Sequence, residues 1–396
     1  FILPVYSHWK LWYFWFGLKF YDLLSGRLSL GRTRMLSAKE VLQRMPSVDA
    51  RDLKGGVMYY DGQFDDSGLC IALAHTAVHY GATVLNYCAA ESFAYEQGKI
   101  CGVRLSDALN GHAYEVRTRA VINATGVFAD ALMATDQPAH RPIVRPSQGI
   151  HIVVEPAFFR GEHALLIPRT TDGRVLFAVP WMGKVVIGTT DVQVEEAVEE
   201  PQAHAEEVDF ILDNFNRYCS SGLTRGDVLA VFAGLRPLVR MNHATSTANL
   251  LRDHTILVSG SGLVSITGGK WTTYRKMAKD AVDKAAAQAG LPPQKCTTRH
   301  IALQRPVKEE TASDGISAPL LHPSYPYTEA DVRHAVRHEM AMQLEDVLAR
   351  RIRLLFLDTK AALEAAPLAA EIMRRELGET EVWAALQVER FSEVAQ

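Results

Sequence analysis

The sequence predicts an α/β fold that combines a helix-and-strand layer with an antiparallel sheet and a C-terminal helical part. Three changes of pattern along the 396 residues support this prediction. Helical and strand patterns alternate up to about residue 144, and strands separated by turn residues follow from Arg145. Amphipathic helices are expected at roughly 329–350 and 360–376. With 48% hydrophobic residues, the chain can bury a core in more than one domain.

The first two dozen residues are rich in aromatic side chains and predict a helix. Polar, charged and proline residues interrupt the apolar run, so no membrane-spanning helix is expected. A cleavage site and a leading cationic region are also missing, which argues against a signal peptide. Two alternatives remain open for this helix: burial in the core, or contact of its aromatic rings with a membrane interface.

The helix-and-strand layer is predicted from residue 37 onward. Ser37 precedes Glu40 by three residues, which is typical of a capped helix start. A helix over 69–79 is expected to lead to a buried strand in ATVLNYCAA (82–90). The apolar strand of AVINATG then ends at Thr125-Gly126, a common place for the diphosphate of a dinucleotide to meet the backbone.

The antiparallel sheet is predicted from strands such as GIHIVVEP and KVVIGTTD, with Thr171-Asp172-Gly173 as a hairpin turn. Alternate residues of a strand face the same side, so His151 points away from Ile150 and Ile152. An imidazole titrates near neutrality and can accept a proton if its strand lines a ligand cavity. His151 is therefore a candidate catalytic base, the alternative being a hydrogen-bonded core or surface histidine.

A glycine-rich turn joins a strand to a helix in GLVSITGGKWTTYRKMA (262–278). It is not a Walker phosphate loop, because position 264 is Val and Lys270 is followed by Trp271. Backbone N–H groups and the helix dipole at such a turn favour an anion. A flavin's pyrimidine edge is one group that fits, and a glycine hinge needed only for packing is the alternative.

Three cations lie at or beside the ends of apolar segments. They are Arg236 in AGLRPL, Arg252 in LLRDHTI, and Lys270. A substrate phosphate explains several such residues together, because guanidinium groups bind phosphate oxygens in pairs and lysine adds a point charge. Scattered surface charge is the alternative for each residue taken alone.

Composition argues against several classes of partner and site. The net charge is −3 and no long basic run occurs, so nucleic acid is not an expected partner. The five cysteines are scattered and form no C-x-x-C pair, so neither a disulfide framework nor a metal site is expected. This cysteine usage fits a reducing, cytoplasmic setting.

Seven segments, taken in order, resemble the FAD-dependent glycerol-3-phosphate dehydrogenases across essentially the whole chain. They are YYDGQFDD (59–66), NATG (123–126), RPSQGIHIVV (145–154), LLIPRTTDGRVLFAVPW (165–181), VVIGTTD (185–191), AGLRPLV (233–239) and GLVSITGGKWTTYRKMAKDAVDKA (262–285). The resemblance implies a flavoprotein of the D-amino-acid-oxidase type that oxidises sn-glycerol 3-phosphate to dihydroxyacetone phosphate. It also implies a homodimer that contacts the inner face of the cell membrane peripherally and passes electrons to quinone.

The resemblance further implies roles for individual residues. His151 and Arg236 match catalytic residues, while Arg236, Arg252 and Lys270 match the cations that bind the substrate and its phosphate. The matches to cofactor-binding residues are Thr125, Gly126, Gly268, Gly269, Lys270 and Thr272.

Some features of that family have no match in this sequence. The strand, G-x-G-x-x-G turn and helix that hold the FAD diphosphate are not found, so a Rossmann-like FAD-binding layer incomplete at its N-terminus is expected. Val127-Phe128 stands where Pro-Trp is usual, and Gln148 where lysine is common. The predicted domains are 1–144 (partial FAD-binding domain with the aromatic helix), 145–250 (substrate-binding sheet), 251–292 (return of the FAD-binding domain) and 293–396 (C-terminal helices).

Two further functions are carried as alternatives. One is a related flavoenzyme, either a glycerol-3-phosphate oxidase or an amine oxidase of the same fold. The set of three cations favours a phosphorylated substrate over an amino acid, and the aromatic helix favours a membrane acceptor over oxygen. The other is a cofactor-free fragment that acts only as a membrane-binding or assembly module.

Overall fold

The computed structural model describes residues 1–239, 254–306 and 319–396, and within them three sheets and a C-terminal group of helices. The strands are β1 (Ile2–Val5), β2 (Arg34–Ser37), β3 (Gly55–Met58), β4 (Cys88–Glu96), β5 (Lys99–Asp107), β6 (Ala113–Arg117), β7 (Val121–Asn123), β8 (Val144–Val154), β9 (Leu165–Ile167), β10 (Leu176–Trp181), β11 (Lys184–Gly188), β12 (Val192–Gln193), β13 (Val228–Val239), β14 (His254–Val258) and β15 (Leu263–Gly268). The α-helices are α1 (His8–Ser25), α2 (Ala38–Arg44), α3 (Asp66–His79), α4 (Ala129–Asp136), α5 (Ala205–Tyr218), α6 (Tyr274–Gln288), α7 (Glu329–His338), α8 (Leu354–Leu357), α9 (Thr359–Leu377) and α10 (Glu381–Val394).

The largest sheet has nine strands, in the order β12-β8-β11-β10-β9-β1-β3-β2, with β13 also paired to β8. Its pairs are antiparallel except β1 with β9, where Ile2 lies opposite Leu165. Three strands from the first 58 residues therefore belong to the sheet that the sequence predicted to begin at Arg145. Ile2 and Leu3 are fully buried in it, so burial of apolar side chains accounts for the position of β1.

The two faces of this sheet have different partners. Ile150 and Ile152 of β8 pack against Ile211 and Phe215 of α5, in one apolar core. Because side chains alternate along a strand, His151 points to the opposite face, as the sequence predicted. The predicted hairpin is also present, since the backbone of Thr170 donates to the carbonyl of residue 174 between β9 and β10.

The second sheet has the order β14-β15-β7, and α4 and α6 both contact it. β15 and β7 are parallel, with Ser265 opposite Asn123, so their carboxyl ends lie at the same edge. This is the helix-and-strand layer that the sequence predicted. Ser37 and Glu40 form the expected capping box at the start of α2.

The predicted buried strand over 82–90 is wrong. β4 begins only at Cys88 and joins β5 and β6 in a separate antiparallel sheet with many exposed side chains. Residues 82–87 instead form a connection, in which Asn86 donates to the carbonyl of Met340 in the C-terminal helices. Contacts of the connection with a distant part of the chain thus take the place of local strand pairing.

The C-terminal helices differ from the expected pair. The predicted helix 329–350 ends at His338, and the backbone of Met340 has a left-handed φ of 58°. A π-helical turn (Asp346–Arg351) and α8 follow before the long helix α9. Buried small residues allow close packing along α9, namely Ala361, Ala362, Ala365, Ala366, Ala369 and Ala370.

Helix α1 is apolar on two faces. Its inner face packs Leu11, Phe14, Trp15 and Leu18 against a small core with β1 and β3. The structure contradicts burial of the whole helix, because Leu11 alone of its eighteen residues, all of them described, is buried. The opposite face carries an exposed stripe of large side chains, Trp9, Trp12, Tyr13, Phe16 and Phe20, at helical spacing. Among the described residues, no helix is long and apolar enough to span a membrane.

Candidate active site

His151 lies in a row of residues that crosses four adjacent strands of the large sheet. Phe232 of β13 is its partner on one side, and Gly188 of β11 and then Phe177 of β10 follow on the other. The ring of Phe232 stacks on the imidazole, with centroids 5.1 Å apart and planes 12° from parallel. A Cβ at residue 188 would lie 2.3 Å from His151 Cδ2, so glycine is required there for the imidazole to fit.

The environment of His151 favours its neutral form. Burial lowers the pKa of the imidazole to about 4, and the positive charge of Arg236 contributes to the same shift. The ring therefore has an unprotonated nitrogen at neutral pH. Such a ring can accept a proton, although a base with so low a pKa holds it weakly.

Arg236 is held by the segment that follows β11. Its Nη2 donates to Thr189 Oγ1 at 2.9 Å and to the carbonyl of Thr190 at 3.1 Å. Its Nη1 donates to the carbonyl of Gln148 at 3.4 Å. A Cβ at Gly149 would come within 2.2 Å of Nη2, so the guanidinium lies directly against the backbone of β8.

A cavity of about 610 Å³ lies beside Arg236 and is large enough for a small phosphorylated molecule. Arg174, Arg236 and Lys270 all line it, together with Asp191. Arg174 Nη1 donates to the carbonyl of Asp191 at 2.7 Å, and the Asp191 carboxylate lies 3.6 Å from Arg236 Nη1. Three cations against one carboxylate leave the cavity positive, which favours an anionic ligand.

Lys270 reaches this cavity from the second sheet. It is exposed and follows Gly268 and Gly269, which have φ angles of 76° and 79°. A side chain at either position would be strained, and a Cβ at Gly269 would also meet Met277 Sδ at 2.6 Å. Thr272 is exposed in the short 3₁₀ turn Trp271–Thr273 that leads to α6.

The turn at Thr125-Gly126 lies at the same sheet edge as the glycine pair. Thr267 Oγ1 donates to the carbonyl of Gly126 at 3.3 Å, which connects the ends of β15 and β7 directly. Thr125 donates to Asn123 Oδ1 through its hydroxyl and its backbone N–H. In open α/β sheets, ligands bind just outside the carboxyl ends of the strands. Both turns lie at this position.

The structure thus brings together several of the predicted site residues. Arg236 and Lys270 share one cavity, and the charge of Arg236 acts on His151. His151 does not line this cavity; the lining residue Phe177 lies in the same row of residues, two strands away from it. Arg252 falls outside the described residues.

Sequence reasoning assigned no role to Arg174, Thr189, Thr190 or Asp191. The segment VVIGTTD ends an apolar strand in hydroxyl and carboxylate side chains, and this was the signal available for the last three. Arg174 follows the hairpin turn, and the sequence alone does not distinguish a cation there from ordinary surface charge. Only the tertiary structure reveals that these residues surround Arg236, because β8 lies between β11 and β13.

The residues present fit one side of a flavin cofactor. Gly126 has a φ of 62°, and a Cβ there would meet no atom within 4 Å, so the space beyond this turn is open. The adjoining glycine pair allows an equally close approach to the backbone. No G-x-G-x-x-G segment for a diphosphate occurs in the sequence. The fit therefore concerns the edge formed by the two turns.

Comparison with protein families is consistent with this geometry. The family described as "FAD dependent oxidoreductase" matches residues 8–275. The chain belongs to this family. A second match, "C-terminal domain of alpha-glycerophosphate oxidase", covers residues 265–383.

The chain is similar to several glycerol-3-phosphate dehydrogenases. It is 35% identical to a probable mitochondrial enzyme of Caenorhabditis elegans over 95% of this chain and 58% of that protein. The mitochondrial enzyme of Rattus norvegicus is 36% identical over 96% of this chain and 59% of that protein. The mitochondrial enzyme of Arabidopsis thaliana is 34% identical over 94% of this chain and 68% of that protein. The chain thus spans about three fifths of the worm and rat relatives, and belongs with the glycerol-3-phosphate dehydrogenases of its family.

Solved structures share the fold. The glycerol-3-phosphate dehydrogenase from Bacillus halodurans, complexed with FAD, has a TM-score of 0.79 and 26% identity, over 100% of this chain and 80% of that one. L-alpha-glycerophosphate oxidase from Mycoplasma pneumoniae has a TM-score of 0.55 at 16% identity, over 75% of this chain and 74% of that one. The α/β fold with an antiparallel sheet and C-terminal helices is thereby confirmed.

Proposed function

We propose that this chain carries the substrate side of an FAD-dependent enzyme that oxidises sn-glycerol 3-phosphate to dihydroxyacetone phosphate. The observation that supports this most is the positive cavity shared by Arg236 and Lys270, together with the action of the Arg236 charge on His151. A phosphate monoester carries about two negative charges and matches several cations, whereas an amino acid offers one carboxylate beside a positive amino group. The names of the relatives indicate the same substrate.

Each of these residues has a distinct proposed role. Arg236 and Lys270, with Arg252 as a third cation, bind the phosphate and so orient the remainder of the substrate. An imidazole nitrogen of His151 accepts the proton of the C2 hydroxyl. Phosphate bound at Arg236 offsets one of the two causes that lower the pKa of His151, and so makes the imidazole a better base.

The flavin is proposed to lie at the edge of the second sheet. The residues that would hold it are Thr125, Gly126, Gly268, Gly269, Lys270 and Thr272. When bound, FAD supplies the acceptor for the two electrons that leave C2 with its hydrogen. The glycines at residues 126, 268 and 269 permit the close approach of the ring or its phosphates to backbone N–H groups.

Flavin absorbance tests this proposal directly. We expect the purified protein to be yellow, or to become so on addition of FAD. Anaerobic addition of glycerol 3-phosphate is then expected to bleach the flavin band, and glycerol at the same concentration is expected to leave it unchanged. A protein that stays colourless after reconstitution would instead support the cofactor-free membrane or assembly module.

The electron acceptor is proposed to be a membrane quinone, reached by peripheral contact of a homodimer with the cytoplasmic face of the cell membrane. The exposed stripe of α1 supports the membrane contact. Helical geometry puts Lys10 and Lys19 on either side of this stripe, and the exposed Lys10 can reach anionic lipid headgroups. The ammonium group of Lys19 lies 3.5 Å from Asp22. The worm and rat relatives are named mitochondrial, and their names do not mention a membrane.

Removing two rings of the stripe is expected to weaken membrane binding. In Trp12→Ser/Phe16→Ser, the fraction bound to vesicles of phosphatidylcholine and phosphatidylglycerol should fall at least about tenfold, because each ring contributes roughly 1.5–3 kcal/mol when buried. Flotation of vesicles measures this fraction. The control is Tyr80→Ser/Tyr114→Ser, which removes exposed rings elsewhere. Equal binding of both variants would contradict the assignment to α1.

A glycerol-3-phosphate oxidase is the second candidate. The match of residues 265–383 to the C-terminal domain of alpha-glycerophosphate oxidase favours it. The two candidates differ in the acceptor, since an oxidase passes electrons to oxygen. Hydrogen peroxide formed at the rate of substrate oxidation in air would support the oxidase, and faster turnover with a short-chain quinone would support the dehydrogenase.

Lys270→Ala is expected to raise KM for glycerol 3-phosphate about tenfold with a smaller change in kcat. Loss of one charge-assisted contact to phosphate costs roughly 1.5 kcal/mol, which corresponds to this factor. Steady-state kinetics measure it. Lys276→Ala is the matched control, because Lys276 is an exposed lysine of α6 paired with Asp280. A KM for Lys270→Ala equal to that of the control would remove Lys270 from the phosphate site.

A further inference from the structure

Glu207 is a buried carboxylate beneath the strand that carries His151. It lies on α5 and is 5% exposed. α5 packs on the face of β8 opposite to His151 and Arg236. Within residues 1–239, 254–306 and 319–396, Glu207 forms no ion pair. Hydrogen bonds therefore satisfy its buried oxygens instead.

Neutral donors reach both oxygens of Glu207. Oε1 accepts from Thr190 Oγ1 at 2.6 Å. Oε2 accepts from Gln148 Nε2 at 2.7 Å and from the backbone N–H of His204 at 3.2 Å. Because Thr190 Oγ1 itself accepts from the N–H of Ile150, its one proton is directed to Glu207.

The two residues whose side chains bind Glu207 also hold Arg236 through their backbones. The carbonyls of Thr190 and Gln148 accept from the guanidinium at 3.1 and 3.4 Å. Each residue thus connects the two faces of the sheet, with its side chain on Glu207 and its carbonyl on Arg236. The carboxylate is thus linked through these two residues to two of the groups that hold the guanidinium.

We infer that Glu207 is a positioning residue for Arg236, acting through Thr190 and Gln148 from the opposite face of the sheet. This inference rests on the proposed function for the phosphate that Arg236 binds. The orientation of the guanidinium can be tested without a substrate, although Thr189 Oγ1 and Asp191 also contribute to holding it. Glu207 touches neither substrate nor cofactor in this scheme.

Glu207→Gln tests the inference with little change of shape. The new amide NH₂ must face either the Gln148 amide, which is a donor, or Thr190, whose hydroxyl proton then loses its acceptor. The exchange Glu207→Gln/Gln148→Glu restores a carboxylate opposite an amide with the roles reversed. The control is Asp346→Asn, since Asp346 is a buried carboxylate of the C-terminal helices that also accepts from three donors.

The first measurement is the rate at which phenylglyoxal modifies Arg236, followed by peptide mass spectrometry. We expect a rate several-fold faster than wild type in Glu207→Gln and close to wild type in the exchange variant and in Asp346→Asn. An unchanged rate in Glu207→Gln, or no recovery in the exchange variant, would overturn the inference. This readout needs no turnover, so it holds even if the protein does not oxidise glycerol 3-phosphate.

The second measurement is KM and kcat for glycerol 3-phosphate in the holoenzyme. We expect Glu207→Gln to raise KM about tenfold, with kcat changed less, and the exchange variant to recover most of this loss. A general loss of stability would lower the active fraction, and so kcat, in both Glu207→Gln and Asp346→Asn without raising KM. That outcome would contradict positioning, whereas a wild-type protein without activity would contradict the proposed function.

Discussion

His151→Ala is expected to lower kcat for glycerol 3-phosphate by about 100- to 10,000-fold, the range that a positioned general base contributes. KM and flavin content should change little, because His151 is proposed to touch neither the phosphate nor the sheet edge that holds the cofactor. Steady-state kinetics with flavin quantified by absorbance measure both quantities. His140→Ala is the control, since His140 is a largely buried histidine paired with Asp130. If kcat of His151→Ala is close to that of wild type, the general base must be a different residue.

The pH dependence provides an independent test of His151. Its pKa is lowered to about 4, so the neutral, proton-accepting form persists from neutral pH down to that value. We expect the ionisation of His151 to leave kcat/KM unchanged down to about pH 4. Below that pH, kcat/KM should fall because the imidazole becomes protonated. In the unfolded chain, histidine titrates near its ordinary pKa of about 6.5. Protonation therefore favours unfolding as pH falls between 6.5 and 4, and Tm must be measured over the same range.

Arg236→Ala is expected to raise KM for glycerol 3-phosphate about 10- to 150-fold, which corresponds to a loss of roughly 1.5–3 kcal/mol in charge-assisted bonding. Arg236→Lys should recover only part of this loss, because an ammonium group lacks the planar pair of donors. The control is Arg225→Ala, which removes an exposed arginine paired with Asp209. A KM equal to that of the control would contradict the phosphate site.

Arg236→Ala should also change the behaviour of His151. The charge of Arg236 is the second of two causes that lower the pKa of the imidazole, so its removal raises that pKa. We expect the acid limb of kcat/KM to shift to higher pH in this variant. A limb that stays in place would indicate that the guanidinium does not act on His151 in solution.

Much of the architecture follows from local patterns in the sequence. The capping box at Ser37, the hairpin turn before β10 and the helical periodicity of α5 each involve residues within a turn or two of one another. Alternation along β8 likewise sets the face of His151. Such short-range preferences can be read from a single sequence because few alternatives compete with them.

The site is only partly accessible to the same reasoning. Arg236 and Lys270 were identified as cations at the ends of apolar segments, and their resemblance to a known family implied a shared ligand. Glu207 carried no such signal, because a carboxylate in the first turn of an amphipathic helix is usually a solvated cap. Its position beneath β8 depends on how α5 packs on the sheet.

The sequence by itself determined the fold class, the strand-to-helix turns and the residue types of the proposed phosphate site. Only the tertiary structure decided that β1 pairs with β9, that the outer stripe of α1 is exposed, and that Thr190 and Gln148 connect Glu207 to Arg236. Local patterns specify an element and its apolar faces. They do not specify which distant segment covers a face, because that choice depends on burial summed over the whole chain.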